Sequence, residues 1–249
     1  MKGVIASLAP RARILDIAHD VGPGDVRGAA LALEAAARFF PPATVHVAVV
    51  DPGVGTSRRA VVVEAAGQVF VGPDNGLLSL AARPPRRVFA LDRAQHHLGD
   101  VSATFHGRDI FAPVAAKLAT GVASRSLGSR ADDLVELVLP AVSIARRSVS
   151  GVVIHVDRFG NLMTSITAAD LRSIAGSRAH GSVVVEVGRR KLSGGLARTY
   201  GERPPGTLLA LIGSSGRLEI ACRDGSAASL LGYRASRALA VRCVVADRD

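Results

Sequence analysis

The sequence is poor in aromatic residues and in cysteine. Its 249 residues include no Trp, two Tyr and seven Phe, so it offers no row of aromatic rings on which nucleic-acid bases would stack. The two cysteines, Cys222 and Cys243, have no close spacing, which argues against a disulfide framework and a zinc site, and we expect both to be reduced. No apolar run approaches the roughly eighteen residues of a membrane-spanning helix.

Lysine is scarce although the chain is basic. A formal net charge of +10 and a pI near 11.0 are typical of proteins that bind nucleic acid. However, Lys2, Lys117 and Lys191 are the only lysines, and the arginines are scattered singly or in pairs. We therefore predict no nucleic-acid partner. The N-terminal stretch, interrupted by Pro10 and by arginines, lacks a signal-peptide layout, so we predict a cytoplasmic protein without membrane association.

Several motifs of common enzyme classes are also missing. No G-x-G-x-x-G follows a predicted strand, and the sequence contains no G-x-x-x-x-G-K-[ST], no H-x-x-x-H and no G-x-S-x-G. These absences argue against nicotinamide enzymes, P-loop enzymes, zinc hydrolases and serine hydrolases of the usual layout. We predict that no metal and no other cofactor is used.

The N-terminal half alternates strand and helix patterns. Residues 4–17, centred on 13–17, and residues 44–50 have strand patterns, and residues 26–40 have the spacing of a helix. The run at 44–50 is apolar on both faces, as in a buried parallel strand. Residues 60–64 and 68–71 predict a hairpin. The alternation predicts an α/β sandwich with a largely parallel sheet.

Further along the chain the pattern changes. Residues 77–82 predict the start of a helix, and residues 104–121 predict a loop followed by an amphipathic helix, whereas residues 122–137 are polar and irregular and predict a linker. The remainder consists of short β-rich runs separated by Gly, Ser and Pro, which is typical of an antiparallel barrel or sandwich. We predict an N-terminal α/β domain at 1–130 and a C-terminal antiparallel β-barrel-like domain at 138–249.

A first candidate site follows the predicted strand 44–50, in the stretch VVDPGVGTSRR. In open α/β sheets ligands lie beyond the carboxyl ends of strands, which is where Asp51 stands. Gly53 and Gly55 would allow a close backbone approach or a positive φ, and Arg58 would fold back to pair with Asp51. The alternative is an ordinary turn with solvated charges.

A second candidate is His106 in the loop FHGRD, between Phe105 and Gly107 and just before the predicted helix. A single loop histidine is more often a surface residue than a catalytic one. Here Arg108 and Asp109 follow at the start of the helix, where an acidic side chain is favoured by the helix dipole. This organisation favours a functional role for His106.

Two further candidates lie in the C-terminal half. In HVDRFGNLMTSI, Asp157 follows a β run, Asn161 would read the edge of a purine base, and Phe159 would either pack in the core or lie against that base. The alternative is an Asx turn in a hairpin. In LIGSSGRL, the amides and hydroxyls of Ser214 and Ser215 would hold a carboxylate, or the segment is a simple hairpin turn.

Taken together, these motifs resemble those of the S-adenosylmethionine hydroxide adenosyltransferase family. These are adenosine-forming S-adenosylmethionine hydrolases, related to the fluorinases and chlorinases. The similarity runs from residue 1 to about residue 232 and is carried, in the family's order, by MKGVI, VHVAVVDPGVGTSRR, FVGPDNGLL, TFHGRDIFAPVAAKLA, VDRFGNLMTSI and LIGSSGRLEIA…GSAASLLG.

The resemblance implies a fold, an assembly and a reaction. The fold would be an α/β domain followed by a β-barrel-like domain. The assembly would be a homotrimer, with each site between the N-terminal domain of one subunit and the C-terminal domain of its neighbour. The reaction would be attack of water or hydroxide on the ribose C5′ of S-adenosylmethionine, which releases adenosine and L-methionine.

The resemblance also implies roles for individual residues. Asp51, Arg58 and His106 match the set that handles the water. Asn161 matches the amide that reads adenine, Asp157 the carboxylate that faces the methionine ammonium group, and Ser214 a hydroxyl near the methionine carboxylate. Phe105 belongs to the wall around the nucleophile, and Gly107 falls where fluorinases place a halide-holding serine, which argues against fluoride.

One departure from the family pattern leaves alternatives open. Family members carry, before MKGVI, a segment resembling T-D-F-G that forms a first strand and supplies an Asp for the ribose hydroxyls, and the sequence begins after it. Asp16 does not replace that residue, because it lies in the following stretch. We expect a start codon assigned too late. The alternatives are a binding protein without turnover and an enzyme that uses chloride as the nucleophile.

Overall fold

The computed structural model describes residues 1–176 and 183–246. The chain forms two compact units, Met1–Val138 and Leu139–Asp249. Six residues of the predicted C-terminal domain, 177–182, and its last three, 247–249, lie outside the described residues. None of the helices in the described ranges is long and apolar enough to cross a membrane.

The first unit contains a five-stranded sheet in the order β1-β3-β2-β4-β5. Its strands are β1 (Val45–Val47), β2 (Ala60–Ala65), β3 (Gln68–Pro73), β4 (Arg86–Ala90) and β5 (Ser129–Ala131). The predicted α/β class is confirmed, but the prediction of a largely parallel sheet is wrong. Among the described strands of this sheet, only β1 and β3 pair in parallel. Since β2 and β3 are joined by a two-residue turn, Ala66 and Gly67, both with positive φ, they must run antiparallel.

Helices cover both faces of this sheet. The helices of this unit are α1 (Lys2–Leu8), α2 (Val26–Ala37) and α3 (Ala112–Ala119), the last preceded by a π-helical turn at Gly107–Phe111. Helices α2 and α3 pack on opposite faces of the sheet, and α1, which has no buried residue, packs on α3. Alternate residues of β2 point to opposite faces. Val61 and Val63 therefore join the core beneath Leu33 of α2, while Val62 joins the core with Phe111 and Val114.

Three local predictions in this unit are wrong. Residues 4–17 form no strand, because their first part belongs to helix α1. In 13–17, Ile14, Leu15 and Ile17 are 39%, 56% and 42% exposed, since an apolar run becomes a strand only where a neighbour accepts its backbone hydrogen bonds. Residues 77–82 form turns rather than a helix. Residues 122–137 are not a linker, because they contain β5, which pairs with β4.

The second unit is built on a nine-stranded sheet in the order β10-β9-β14-β7-β8-β13-β12-β11, with β6 paired to β7. Its strands are β6 (Ser143–Ala145), β7 (Ser148–Val156), β8 (Leu162–Thr167), β9 (Val183–Val187), β10 (Arg190–Leu192), β11 (Leu196–Ala197), β12 (Leu208–Ile212), β13 (Arg217–Cys222) and β14 (Ala240–Val245). Two short helices accompany them, α4 (Ala168–Ala175) and α5 (Ala227–Leu230).

This second sheet curls. Strands at its two ends lie close together, β9 beside β11 and β10 beside β12. All described pairings are antiparallel except that of β11 with β12. The predicted antiparallel, barrel-like character is confirmed. Cys222 and Cys243 are free thiols buried in this unit's core, and burial raises the pKa of the Cys243 thiol to about 12.

Candidate active site

The turn that follows β1 brings Asp51 and Arg58 together. The Val54 amide donates to the Asp51 carbonyl at 3.2 Å, and the Thr56 amide donates to the Gly53 carbonyl at 3.2 Å, so the chain reverses direction within a few residues. A Cβ on Gly53 would lie 3.3 Å from the Arg58 Cγ. Glycine at this position therefore leaves space for the arginine to fold back over the turn.

Arg58 binds both other members of the predicted set. Its Nε donates to Asp51 Oδ1 at 2.8 Å, and its Nη2 donates to Asp51 Oδ2, which makes the pair bidentate. The same Nη2 lies 2.9 Å from His106 Nδ1. Three side chains that are up to 55 positions apart in the sequence therefore form one continuous hydrogen-bonded cluster.

The cluster is largely shielded from water. The side chains of Arg58 and Asp51 are 11% and 6% exposed. The Arg58 guanidinium carbon lies 5.4 Å from the ring centroid of Phe111, which is fully buried, so an aromatic face supports the cation. A charge pair in such surroundings is held in a fixed orientation, because little solvent competes for its donors and acceptors.

The hydrogen bond to His106 fixes the tautomer of the imidazole. A guanidinium group has only donors, so Nδ1 accepts from Arg58 and the ring proton lies on Nε2. In this arrangement Nδ1 has no free lone pair for a second proton. The free polar edge of the ring is an N–H donor, whereas each Asp51 oxygen retains a lone pair beyond the one that Arg58 uses.

His106 is presented by an unusual helix start. It precedes the π-helical turn Gly107–Phe111, and such turns are rare and frequent at functional sites. Asp109, in this turn, is buried and accepts from the Ser102 amide at 2.9 Å and from the Arg108 side chain. The hydrogen bond from Arg108 holds the pKa of the Asp109 carboxyl below its usual value. Asp109 thus ties down the loop that carries His106.

The two loops of the cluster approach each other closely at a glycine. Gly55 has φ +77°, and a Cβ placed on it would lie 2.3 Å from the Ala103 carbonyl oxygen. Phe105 in the second loop is 51% exposed. Gly107 is buried, and a Cβ placed on it would lie 3.2 Å from the Met1 sulfur.

In the second unit, Asp157 and Asn161 form a compact turn. Asp157 Oδ1 accepts from the amides of Phe159 and Asn161, both at 2.9 Å, and Oδ2 accepts from Asn161 Nδ2 at 3.0 Å. The Asx-turn interpretation therefore describes the local geometry. Asn161 is 7% exposed, whereas Phe159 is 77% exposed, so within this unit the phenyl ring does not pack in the core.

Ser214 and Ser215 lie in the turn between β12 and β13. The Gly213 amide donates to the Arg217 carbonyl at 3.0 Å, and the Gly216 amide donates to the Gly213 carbonyl at 2.9 Å, which closes the turn. This is the predicted hairpin geometry, with Ser214 exposed and Ser215 partly buried.

A hydrogen-bonded pair, Tyr200 and the buried Glu219, lies beside this turn and is not apparent from the sequence. Tyr200 Oη donates to Glu219 Oε1 at 2.7 Å, and a Cβ on Gly213 would lie 2.7 Å from Glu219 Oε2. Burial is the main cause that raises the pKa of the Glu219 carboxyl, and the charge of Asp157 raises it further. Burial and Glu219 likewise raise the pKa of Tyr200. The only feature of the sequence that could have indicated this pair is Glu219, an acidic residue at an inward-facing position of β13.

Phe111 and the GPDNG turn at 72–76 also received no role from sequence. Phe111 reads as an ordinary core residue, and only the fold shows that Arg58 lies on its face. Within the described residues, no group of three or more His, Cys, Asp and Glu side chains has an arrangement that would hold a metal ion.

Comparison with known proteins agrees with this geometry. The chain combines an α/β unit and a curled β unit with a cluster of an acid, a guanidinium and an imidazole, which come from the turn after β1 and from the loop before α3. The chain belongs to the SAM hydroxide adenosyltransferase family, because residues 1–128 match the model of its N-terminal domain and residues 151–239 match that of its C-terminal domain. The family resemblance in the sequence is thereby confirmed.

Individual relatives support the same assignment. The chain is 43% identical to the (R)-S-adenosyl-L-methionine hydrolase of Salinispora arenicola, over 92% of this chain and 86% of the relative. It is 42% identical to the protein of the same name from Thermus thermophilus, over 94% of this chain and 89% of the relative. The crystal structure of an uncharacterized conserved protein from Thermotoga maritima matches with a TM-score of 0.87 and 35% identity, covering 98% and 93% of the two chains.

Proposed function

We propose that this protein hydrolyses S-adenosyl-L-methionine to adenosine and L-methionine. The observation that carries the proposal is the cluster of Asp51, Arg58 and His106. Each member stands at the position that the family motif assigns to the handling of water. The relatives named as hydrolases align with nearly the whole chain, which supports the same reaction.

The reaction is a substitution at carbon. A water oxygen forms a bond to the ribose C5′ while the C5′–S bond breaks, and sulfur keeps the electron pair and becomes the neutral thioether of methionine. The sulfonium is already a good leaving group, so no acid is required to protonate it. The water loses one proton in forming the 5′-hydroxyl of adenosine. We propose that no metal and no cofactor take part.

The geometry of the cluster suggests how the three side chains share this task. Because His106 Nδ1 accepts from Arg58, the imidazole meets the water with its Nε2–H donor. Asp51 is the member with lone pairs to spare, so we assign it the proton, which it then passes to solvent. Arg58 fixes the relative positions of Asp51 and His106 and stabilises the negative charge that develops on the water oxygen. Alignment of water with the C–S bond can contribute about 7–11 kcal/mol.

The remaining predicted residues would bind the substrate. Asn161 would read the adenine edge and Phe159 would lie against the base, while Asp157 would face the ammonium group. Ser214 and Ser215 would hold the methionine carboxylate, and Phe105 and Gly107 would line the space around the water. We propose that these groups meet the water-handling cluster between subunits of a homotrimer, and that the protein acts in the cytoplasm.

The stereochemistry at sulfur is part of the proposal. The curated relatives are named for the (R) configuration, and we infer that this chain also prefers the (R)-sulfonium epimer. In-line attack requires the C5′–S bond to point away from the water. Epimers that place the methionine chain differently around sulfur will therefore differ in how well they align.

Incubation of the purified protein with each sulfonium epimer, followed by chromatography, tests the proposal. Adenosine and methionine should appear in equal amounts, and faster from the (R) epimer. A folded, full-length sample that binds the substrate and releases no adenosine would reject the reaction and favour a binding protein. Formation of 5′-chloro-5′-deoxyadenosine in high chloride would instead favour the chloride-using alternative.

A further inference from the structure

We propose that the GPDNG turn at residues 72–76 positions the Asp51–Arg58 pair, with Asp74 and Asn75 as positioning residues. This inference rests on the proposed function. The GPDNG segment begins with the last two residues of β3 and continues beyond it, and the water-handling turn follows β1, the strand that pairs with β3 in parallel. The two turns therefore leave the same edge of the sheet side by side.

The first attachment lies immediately before the catalytic carboxylate. Asn75 Nδ2 donates to the Val50 carbonyl at 2.9 Å, and its Oδ1 accepts from the Leu77 amide at 3.2 Å. The side-chain amide is thus fixed at both ends, by its own turn and by the residue that precedes Asp51. A main-chain carbonyl held in this way sets the direction in which the next residue leaves.

The second attachment lies immediately after the catalytic guanidinium. Arg59 donates to Asp74 Oδ2 from Nε at 2.8 Å and from Nη2 at 2.5 Å. The main chains are also joined, because the Asp74 amide donates to the Arg59 carbonyl at 2.9 Å. The consecutive residues Arg58 and Arg59 bind different carboxylates, Asp51 and Asp74. This is expected in an extended segment, where successive side chains point in opposite directions.

The anchoring residue is itself rigid. The Asp74 side chain is 1% exposed, and its Oδ1 accepts from the Val135 amide at 2.7 Å. A buried carboxylate that accepts hydrogen bonds from a guanidinium and an amide keeps one orientation. Arg59 also donates to the exposed Asp133, at 2.8 Å from Nη1.

These contacts fix both ends of the segment from Asp51 to Arg58, through Val50 on one side and Arg59 on the other. Within the described residues, neither Asp74 nor Asn75 hydrogen-bonds the three side chains of the cluster, so both act through Val50 and Arg59. A displacement of about 1 Å in such a cluster can cost about 100-fold in rate. The turn is therefore expected to affect kcat more than KM, because none of its hydrogen bonds in the described residues goes to Phe105 or Gly107, the groups of its own unit that we assign to substrate binding.

Two substitutions test this role, and one matched control accompanies them. Asn75→Asp keeps the acceptor for the Leu77 amide but removes the donor to Val50. Asp74→Asn keeps an acceptor for the Val135 amide but presents a donor to Arg59. Asp133→Asn removes the charge of the other, exposed partner of Arg59 while keeping an acceptor oxygen, and is the control. Circular dichroism and thermal melting establish that each variant is folded.

Two readouts are measured on the full-length chain. The first is the NMR signal of the Arg58 Nε–H in the free protein, which reports the pairing with Asp51 and needs no turnover. The second is kcat and KM for S-adenosylmethionine. We expect Asn75→Asp and Asp74→Asn to shift or broaden the Arg58 signal and to lower kcat by about 10- to 100-fold with KM changed by less than about 3-fold. Asp133→Asn should match the wild type in both.

The outcomes separate this inference from the proposed function. A wild type that forms no adenosine rejects the function, while the Arg58 signal still tests the positioning. An Arg58 signal in folded Asn75→Asp and Asp74→Asn that is the same as in Asp133→Asn would overturn the inference. So would a changed signal in an active enzyme whose kcat stays at the wild-type value, because the turn would then have no catalytic consequence.

Discussion

At the scale of the residue, the proposed mechanism depends on which atoms of three side chains are donors and which are acceptors. Arg58 supplies donors to Asp51 and to His106 Nδ1. The imidazole therefore faces the reactant with a donor, and the carboxylate remains the acceptor for the proton. This division of roles makes different predictions for each of the three positions.

Arg58→Lys should abolish most of the activity without unfolding the protein. A lysine ammonium is a point charge that would not span two carboxylate oxygens and an imidazole nitrogen in one plane. We expect kcat to fall by at least about 100-fold at saturating substrate. Arg83→Lys, in the exposed pair with Glu34, is the control and should stay near the wild-type rate. Comparable rates for the two variants would contradict the role of Arg58.

His106→Asn separates the two faces of the imidazole. The Asn Oδ1 takes the place of Nδ1 and still accepts from Arg58, whereas the Nε2–H donor is lost. We expect kcat to fall by about 10- to 100-fold, while the Arg58 Nε–H signal stays close to that of the wild type. A full rate for His106→Asn would mean that the imidazole acts only by holding Arg58, and the Nε2–H role would be wrong.

At the scale of the element, the site depends on loops that meet after β1 and before α3. The contact between them is at Gly55, where a Cβ would lie 2.3 Å from the Ala103 carbonyl oxygen. A side chain at position 55 would therefore force the two loops apart. The chain also offers a matched comparison, because Gly24 has a similar φ of +73° but nothing within 4 Å of its Cβ position.

Gly55→Ala should therefore destabilise the protein more than Gly24→Ala. Both substitutions force alanine into the left-handed region, at a cost of about 1–2 kcal/mol in the free energy of unfolding. Gly55→Ala should lose about 1–3 kcal/mol more, because the loops must separate, and it should lower kcat as His106 moves. Urea unfolding of the two variants is the measurement. Equal losses of stability would show that the loops do not need this close approach.

The elements also show what sequence can predict and what it cannot. The spacing of Asp51 and Arg58, after an apolar run and with glycines between them, indicated a folded-back pair, and Arg58 does fold back onto Asp51. The hairpin of β2 and β3 was visible because its turn residues are local. The direction of the other pairings was not visible, since it depends on which strands become neighbours.

Long-range contacts account for the other failures. Residues 13–17 have the composition of a strand but no strand partner in the described residues. Residues 129–131 have little strand character, yet β4 pairs with them. Glu219 and Tyr200 form a pair across 19 positions, and no local pattern marks such a contact. The family motifs indicated positions, whereas the contacts of Phe111 and Asp74 required the fold.

At the scale of the whole molecule, Glu219 links stability to pH. Burial raises the pKa of this carboxyl in the folded protein, with a further rise from the charge of Asp157, while the hydrogen bond from Tyr200 opposes both effects. A raised pKa means that the fold favours the protonated acid. The free energy of unfolding therefore falls as the pH rises from the unfolded value, about 4.3, through the folded value.

Glu219→Gln should remove this part of the pH dependence. The amide remains neutral at every pH and still accepts from Tyr200. The stability of Glu219→Gln relative to wild type should become more favourable between pH 4 and pH 8, measured by urea unfolding. Glu186→Gln, on β9 of the same sheet, is the control. If the difference in the free energy of unfolding between Glu219→Gln and wild type does not change with pH, then ionisation of Glu219 does not destabilise the fold.

The most direct test of the central claim is the origin of the 5′-oxygen of adenosine. Turnover of S-adenosylmethionine by the full-length protein in H₂¹⁸O, followed by mass spectrometry of the product, shows whether solvent attacks C5′. We predict adenosine that carries one ¹⁸O atom, located in its 5′-hydroxyl group, together with unlabelled methionine. Adenosine without ¹⁸O, ¹⁸O in the methionine, or no adenosine from a folded enzyme would contradict it.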